Sequence, residues 1–481
     1  MNSRTMSRFF HGLLALLALL LSGCALGPHY RAPDLELPAA WPPNDVLDVQ
    51  ERSVLDAGED WRQWWVEFGD PDLDELVNRA VADNLDIRMQ AARIQEARAR
   101  LGFSTADQFP TVGFQADAVR QRASGAVTGV PHSQGTTVNL FTLAGVLNYE
   151  VDIWGRAARE REASEALLRE SGFTHDAVRL SVITEVVATY FNLKAAQREL
   201  DITSEALNIL EETYRLQTVR FRYGEIDELI LRQAETELEA TRALLPPRIG
   251  QLRRLEGALG VLTGLSPAEL MAEREYDARD LTQIRNPELV PQVLPSELLL
   301  RRPDIRAAEA SLQAASARIG IAQAQRLPRL NLAALLGANA LEIDDLFGSS
   351  AQVWNLGIGA AGPLLDFGRN RARVETAQAQ YLQTEAGYVA TVNLAFNEVR
   401  DALVLHQSTM DQVEAVSRQL AIARRTEELA NIRYRQGLIR FIEFLDAHRS
   451  RLAAEQNLNN ALRDRLTATA TLFKALGGGW G

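Results

Sequence analysis

Few residues in this chain could do chemistry, and their spacing narrows what that chemistry could be. The 481 residues hold one cysteine, Cys24. One thiol cannot form a disulfide within its own chain, so Cys24 is not a staple. The six histidines are scattered, with no HExxH or similar pair at ligand spacing. No GxxxxGK[ST] phosphate loop and no GxSxG elbow occurs. Neither enzymatic activity nor a cofactor or metal site is expected. The stretch "GLIRFIEFLDAHRSRL" runs from Gly437 to Leu452. Ile442 and Asp446 are four apart and Arg449 is three further on, so a helix sets them on one side, a turn from each other. That offers an apolar, an acidic and a basic group to whatever lies beside the helix.

The segment before Cys24 explains the cysteine. Arg4 and Arg8 give a positive start, and Phe9 to Leu21 form an apolar run too short to span a bilayer as a helix. Leu21-Ser22-Gly23-Cys24 resembles the bacterial lipobox, in which the cysteine is diacylated and becomes the new N-terminus. Residues 1–23 are thus expected to be removed and Cys24 to carry lipid. Ala25 follows, and the absence of aspartate there favours the outer membrane. Pro28, Pro33, Pro38, Pro42 and Pro43 make residues 24–63 an extended tether lying along a surface.

Composition sets further bounds. With 46% hydrophobic and 24% charged residues the chain folds, and a net charge of −12 argues against nucleic-acid binding. Beyond the leader no run of 18 apolar residues occurs, so any membrane crossing must use β-strands.

The chain is written twice. "DIRMQAARIQEARARLGFSTADQFP" from Asp86 matches "DIRAAEASLQAASARIGIAQAQRLP" from Asp304. Further on, Gly155 aligns with Gly368 and Gly224 with Gly437, both at an offset of 213. The repeats occupy 64–263 and 294–481, with a linker at 264–293. Each reads as a helix ending at a proline (Pro110, Pro328), two alternating stretches, a very long helix, a glycine turn and a shorter helix. The alternation predicts strands at about 111–122, 137–153, 329–339 and 351–365. Phe141, Leu143, Leu147, Tyr149, Val151 and Ile153 share one face of the second strand. Trp354, Leu356, Ile358 and Ala360 share one face of the fourth.

The elements around these strands are helical. Val389, Val392, Phe396, Val399, Leu403, His406, Met410, Val413, Ser417 and Leu420 step by 3 and 4, a coiled-coil seam. The long helix could reach roughly 100 Å. The flanking helices, at about 25 and about 38 residues, match it when placed end to end, which suggests a rod about two helices wide. Asp70-Pro71 reads as a helix start. Arg220 and Arg222 before Gly224, and Arg433 and Arg435 before Gly437, read as helix ends. Four strands cannot close a membrane barrel without open edges, so several chains must share one.

"LPSELLLRRPDIRAAEASLQAASARIGIAQAQRLPRLNL" (Leu294 to Leu332) closely resembles the signature of the TolC-like outer-membrane factors, in the lipoprotein branch found with drug-efflux pumps. "WWVEFGDPDLDELVNRAVADNLDI" (Trp64 to Ile87) and "CALGPHYRAP" (Cys24 to Pro33) match as well. The resemblance implies an α+β membrane protein. Long coiled-coil helices would form a periplasmic α-barrel, and three copies would share a transmembrane β-barrel of twelve strands. It implies a homotrimer in outer-membrane lipid, with a periplasmic adaptor (membrane fusion) protein and an inner-membrane efflux transporter as partners. The function implied is a passive conduit for small toxic compounds or drugs. The glycine turns at Gly224 and Gly437 would meet the adaptor. Ile442 and Asp446 would form an apolar and an acidic ring that narrow the channel, and Arg449 could pair with an acid there. Phe441, Ile442, Glu443 and Phe444 depart from the Tyr-Leu-Asp-Val-like run more common in that family. The first repeat has Leu229 and Gln233 at the matching places. The alternative is a lipid-anchored periplasmic coiled-coil adaptor or scaffold, which would not place paired strands between its helices.

Overall fold

The computed structural model describes residues 26–38, 61–122, 124, 135, 137–272, 280–287 and 295–478. Cys24 and most of the loop from Arg122 to Gly135 lie outside the described residues. The first repeat contains α1 (Pro71–Asp83), α2 (Leu85–Ala106), β1 (Thr111–Arg122), β2 (Thr137–Val151), α3 (Arg156–Arg222), α4 (Glu228–Arg242) and α5 (Leu245–Leu262). A short helix, α6 (Pro267–Leu270), follows it. The second repeat contains α7 (Pro295–Arg301), α8 (Pro303–Ala324), β3 (Arg329–Ala340), β4 (Gln352–Ala361), α9 (Arg369–Arg435) and α10 (Phe441–Ala475). The chain divides into two compact units, one of residues 1–34, 94–171 and 308–388, the other of 35–93, 172–307 and 389–481.

The first unit is built on one antiparallel sheet in the order β1-β2-β3-β4. Its register pairs Val112 with Leu147, Phe114 with Gly145, Leu332 with Ile358 and Leu336 with Trp354. These residues therefore share a face, and Phe114 is 81% exposed, Leu336 73% and Trp354 75%. An apolar face of this extent suits hydrocarbon rather than water. The opposite face carries Gln115, Asn148, Glu150, Asn331 and Asn355. Gly337 lies on that polar face. A Cβ added there would sit 2.2 Å from the Leu143 carbonyl oxygen and 2.5 Å from Ala144 Cα, so only glycine fits. β1 and β4 are the edges, each paired on one side only.

Two strands are shorter than the alternation predicts. β2 stops at Val151, and Ile153 lies in a turn, its N–H donating to the Val151 carbonyl at 2.9 Å. β4 stops at Ala361. Gly362 is pressed against Pro328, and Pro363 has no N–H to continue the ladder. The tether is fastened in the same unit. Leu26 N–H donates to the Trp154 carbonyl (3.2 Å), and buried Arg159 donates to the carbonyls of Leu26 (3.0 Å) and Gly27 (3.3 Å). Tyr30 OH donates to Glu309 (3.2 Å).

The second unit holds an aromatic core. Trp64 stacks on Phe473 with centroids 5.2 Å apart, and Phe68 meets Phe191 edge-on at 5.0 Å. Leu73, Val77 and Ala80, at helical spacing on α1, complete it. Asp70 starts α1 as expected: its Oδ1 accepts from Asp72 N–H (3.0 Å), while Oδ2 accepts from the Tyr190 hydroxyl (2.7 Å). Arg302, nearly buried, binds Asp304 (2.6 Å), Glu398 (2.6 Å) and the Ala475 carbonyl (3.0 Å). It thereby satisfies one of the orphan carbonyls at the end of α10.

Two helical expectations are corrected. The buried stripe of α9 shares Val392, Val399, His406, Val413 and Leu420 with the expected seam. Its alternate positions are Tyr388, Ala395, Ala402, Thr409 and Val416, one residue earlier than Val389, Phe396, Leu403, Met410 and Ser417. At Ala395, Ala402 and Thr409 the smaller side chain faces inward, which lets a neighbouring helix approach closely, and the larger Phe396, Leu403 and Met410 sit on the flank; at Tyr388 and Val416 the larger one faces inward. The shorter helix of the first repeat is also not continuous. It breaks at Ala243-Leu244, because Pro246 and Pro247 cannot donate to the preceding turn. Its counterpart α10 has no proline and runs unbroken for 35 residues.

Candidate functional site: the helix ends around Gly224 and Gly437

The two glycine turns have the same backbone. Gly224 and Gly437 both have φ of 74°, the left-handed region that glycine enters without strain. Glu225 N–H reaches the Arg220 carbonyl at 2.9 Å, and Leu438 N–H reaches that of Arg433 at 2.9 Å. These six-to-one bonds close the ends of α3 and α9 in the same way. No atom lies within 4 Å of a Cβ built on either glycine, so both turns are open to a partner.

The side chains around the turns differ. Asp227 caps α4, accepting from Ile230 N–H at 3.1 Å. Arg440 occupies the matching place before α10, makes no cap bond and pairs instead with Glu443 at 3.1 Å. Beside the turns, the Tyr434 hydroxyl accepts from Gln217 (2.8 Å) and Arg220 (3.0 Å), joining the last turns of α3 and α9. The Tyr434 ring stacks on Phe444 at 5.6 Å, in a small core with Leu210, Leu238, Phe441 and Leu445.

On α10, Phe441, Phe444, Leu445 and His448 are buried, while Ile442, Asp446 and Arg449 are exposed. Ile442 is 39% exposed, a large apolar side chain turned away from the core. The helix thus gathers the three expected residues on its free side. Arg449 does not pair with Asp446, the acid one turn earlier. It donates to Glu237 on α4, Nε to Oε2 at 2.9 Å, and this bond raises its pKa, with a smaller contribution from the Asp446 carboxylate. Glu237 is nearly buried and already committed to the guanidinium, which is why it and not exposed Asp446 is the partner. On α4, Leu229 is 65% exposed and Gln233 is half-buried.

Behind that free side lies a charge network, buried at His448 and Glu455 and reaching solvent at Arg424, that sequence reasoning missed. His448 Nδ1 meets Glu427 Oε1 at 2.6 Å. Glu427 also holds Arg451 (2.6 Å), as an ion pair rather than an aligned hydrogen bond. Arg451 reaches Glu455 at 2.6 Å, and Glu455 takes Arg198 of α3 and Arg424 of α9, each at 3.1 Å. Buried charges of this kind need every partner, and removing one leaves the rest uncompensated. The signal available in the sequence was the repeat itself. Tyr434 stands opposite Phe221, Glu237 opposite Ser450, and His448 opposite Glu235, so each link draws on a group that one repeat alone carries.

Among the described residues of this helix end no nucleophile stands beside a base. The sequence profile of the family described as "Outer membrane efflux protein" matches residues 76–265 and 294–478, one stretch in each repeat. The chain belongs to the outer membrane efflux protein family. It is 30% identical over 465 residues to the cation efflux system protein CusC of Escherichia coli O6:H1, covering 96% of this chain and 97% of that one. It is 32% identical over 473 residues to the antibiotic efflux pump outer membrane protein ArpC of Pseudomonas putida, covering 97% and 95%. Among solved structures it resembles the outer-membrane channel OprN, with a TM-score of 0.86, 31% identity and coverage of 95% and 100%. The chain is therefore an outer-membrane efflux channel with a large periplasmic helical part, and the adaptor alternative is set aside.

Proposed function

We propose that three copies of this chain form the outer-membrane conduit of a tripartite efflux system. Each copy contributes its four strands to one shared barrel. The observation that carries this reading is the sheet: one exposed apolar face, and two edges, β1 and β4, that the chain does not pair within itself. Unpaired edges are untenable in hydrocarbon, and closure with other copies removes them. The turns at Gly224 and Gly437 meet a periplasmic adaptor, and an inner-membrane transporter supplies energy, since this chain does no chemistry itself. Ile442 and Asp446 of each copy narrow the periplasmic end. Residues 1–23 are removed, and Cys24 carries the lipid that tethers residues 24–63. CusC and ArpC, at similar identity, bear names of cation and antibiotic efflux, so the shared fold does not choose the cargo and the partner pump does.

Native mass spectrometry in detergent, followed by planar-bilayer recording, tests the proposal. A heat-modifiable trimer that conducts is expected. A stable monomer, or a trimer that never conducts even with the adaptor-facing turns deleted, overturns it.

A further inference from the structure

We propose that a groove in the sheet-bearing unit binds the phosphate group of an anionic phospholipid. The groove lies between α8 and the first turns of α9 and has a volume of about 510 Å³. Arg318 enters from α8, and Arg369 and Arg373 enter from α9. Gln325, Thr376 and Gln380 add further hydrogen-bonding groups, and Ala322 and Ala377 form part of an apolar floor. No carboxylate is among the lining residues, although the whole chain is acidic at −12. Three arginines lining a cavity of this size match an oxyanion in charge, and a guanidinium can bind such a group through two parallel N–H bonds.

The nearby acids do not fill that role. Asp366 spends its carboxylate on the N–H groups of Gly368 (3.1 Å) and Asn370 (3.0 Å) at the start of α9, which hold it below the usual carboxylate range. Burial pushes Glu170 up, and the Arg318 charge only partly offsets this. Arg373 donates to the neutral Asn370 side chain at 3.0 Å.

A second observation points to lipid rather than to a free anion. Between the end of β4 and Arg369 the chain exposes Leu364, Leu365 and Phe367 almost completely, Phe367 at 92%. Among the described residues Phe367 is the one non-glycine with positive φ, at 51°. Holding a bulky ring outward is costly in water and favourable in acyl chains, while the strained φ costs the same in either medium. Acyl chains against Leu364, Leu365 and Phe367, with the phosphate on the arginines, would use both features at once. The groove would then fasten the top of α9 to the leaflet at the base of the sheet.

The test uses the full chain as purified oligomer, exchanged into nanodiscs of phosphatidylethanolamine with and without phosphatidylglycerol. Native mass spectrometry counts retained phosphatidylglycerol, and phosphorus NMR on delipidated protein reads inorganic phosphate. Wild type is expected to retain phosphatidylglycerol. Arg369→Gln should weaken retention about tenfold and the triple change at Arg318, Arg369 and Arg373 more, since each removes charge-assisted hydrogen bonds. Arg371→Gln is the control, because Arg371 pairs with Glu375 at 2.8 Å and does not line the groove. If the triple variant fails to assemble as a heat-modifiable oligomer, Arg369→Gln alone decides. Equal retention by wild type and Arg369→Gln overturns the proposal. Binding of inorganic phosphate without any lipid retention overturns the lipid assignment and leaves a soluble anion as the ligand.

Discussion

Arg449 of α10 is paired with Glu237 of α4, across the two repeats, and not with Asp446 one turn before it on its own helix. The pair fixes α10 against α4 from the side, and it leaves Ile442 and Asp446 exposed. Holding α10 thus falls to Arg449, and Ile442 and Asp446 are left for the narrowing proposed above.

Conductance separates them. Ile442→Ala with Asp446→Ala should raise single-channel conductance well above wild type, and the same changes at Leu229 and Gln233 should do less. Unchanged conductance in the first pair removes it as the constriction. Glu237→Gln should act differently, loosening α10 and costing about 1 kcal/mol, a figure discounted because Arg449 is half exposed. A double-mutant cycle in thermal melts checks this. Additive losses from Glu237→Gln and Arg449→Gln would show that the pair contributes nothing.

Strand packing gives a sharper contrast. Gly337→Val must push a side chain into the Leu143-Ala144 backbone, so the heat-modifiable oligomer should be lost. Gly357→Val, on the same polar face, meets only the tip of Asn355 at 3.6 Å and should assemble. Assembly of both variants on denaturing gels at low temperature would show that the crowding at Gly337 is relieved by a small shift.

Much of this architecture was readable before any coordinates. Alternation in the strands, Asp70-Pro71 and the glycine turns are local signals, and all are found in place except that β2 and β4 end earlier than the alternation suggests. What escaped were choices between neighbours of similar type. Phe396 and Leu403 look more core-like than Ala395 and Ala402, yet close helix approach favours the smaller pair. Pro246-Pro247 was a local signal that the match of the flanking helices to the long one, placed end to end, obscured. The Glu427-His448-Arg451-Glu455 network left only one trace in the sequence, the mismatch of His448 with Glu235 between the repeats, because its members are surface types by composition and meet only when α3, α9 and α10 converge.

His406 gives a pH dependence. Burial, and then the Arg465 charge, lower its pKa from 6.5, and the Thr469 hydroxyl, itself bonded to Asn286, lies 3.2 Å from its Nδ1. The folded state therefore prefers neutral imidazole. Its contribution to stability is complete above the unfolded value of about 6.5 and is lost as pH falls toward the lower folded value. The melting temperature of wild type should drop more between about pH 7 and about pH 5 than that of His406→Gln. Parallel curves would contradict this sign.

Lipidation is checked by thiol counting. The chain has one cysteine, so a mature protein acylated at Cys24 should show no thiol that reacts with maleimide, even when denatured. The N-terminal peptide should carry the added lipid mass. Stoichiometric labelling, or an unmodified peptide beginning elsewhere, rules the modification out. Cys24→Ala should weaken anchoring while the assembled barrel still holds the protein in the membrane.

The proline break that divides α4 from α5 makes the two hairpins mechanically unlike. From Phe441 to Ala475, α10 is a single strut of about 50 Å, seated at its far end by Arg302 on the Ala475 carbonyl and by Phe473 against Trp64. A push on Leu438 travels its whole length as rigid motion. A push on Glu225 meets a joint after the 15 residues of α4, and the joint absorbs part of it. Of two turns with the same backbone, one is the handle of a lever and the other the end of a hinge. Asp446, the acid proposed to narrow the channel, is carried on the lever.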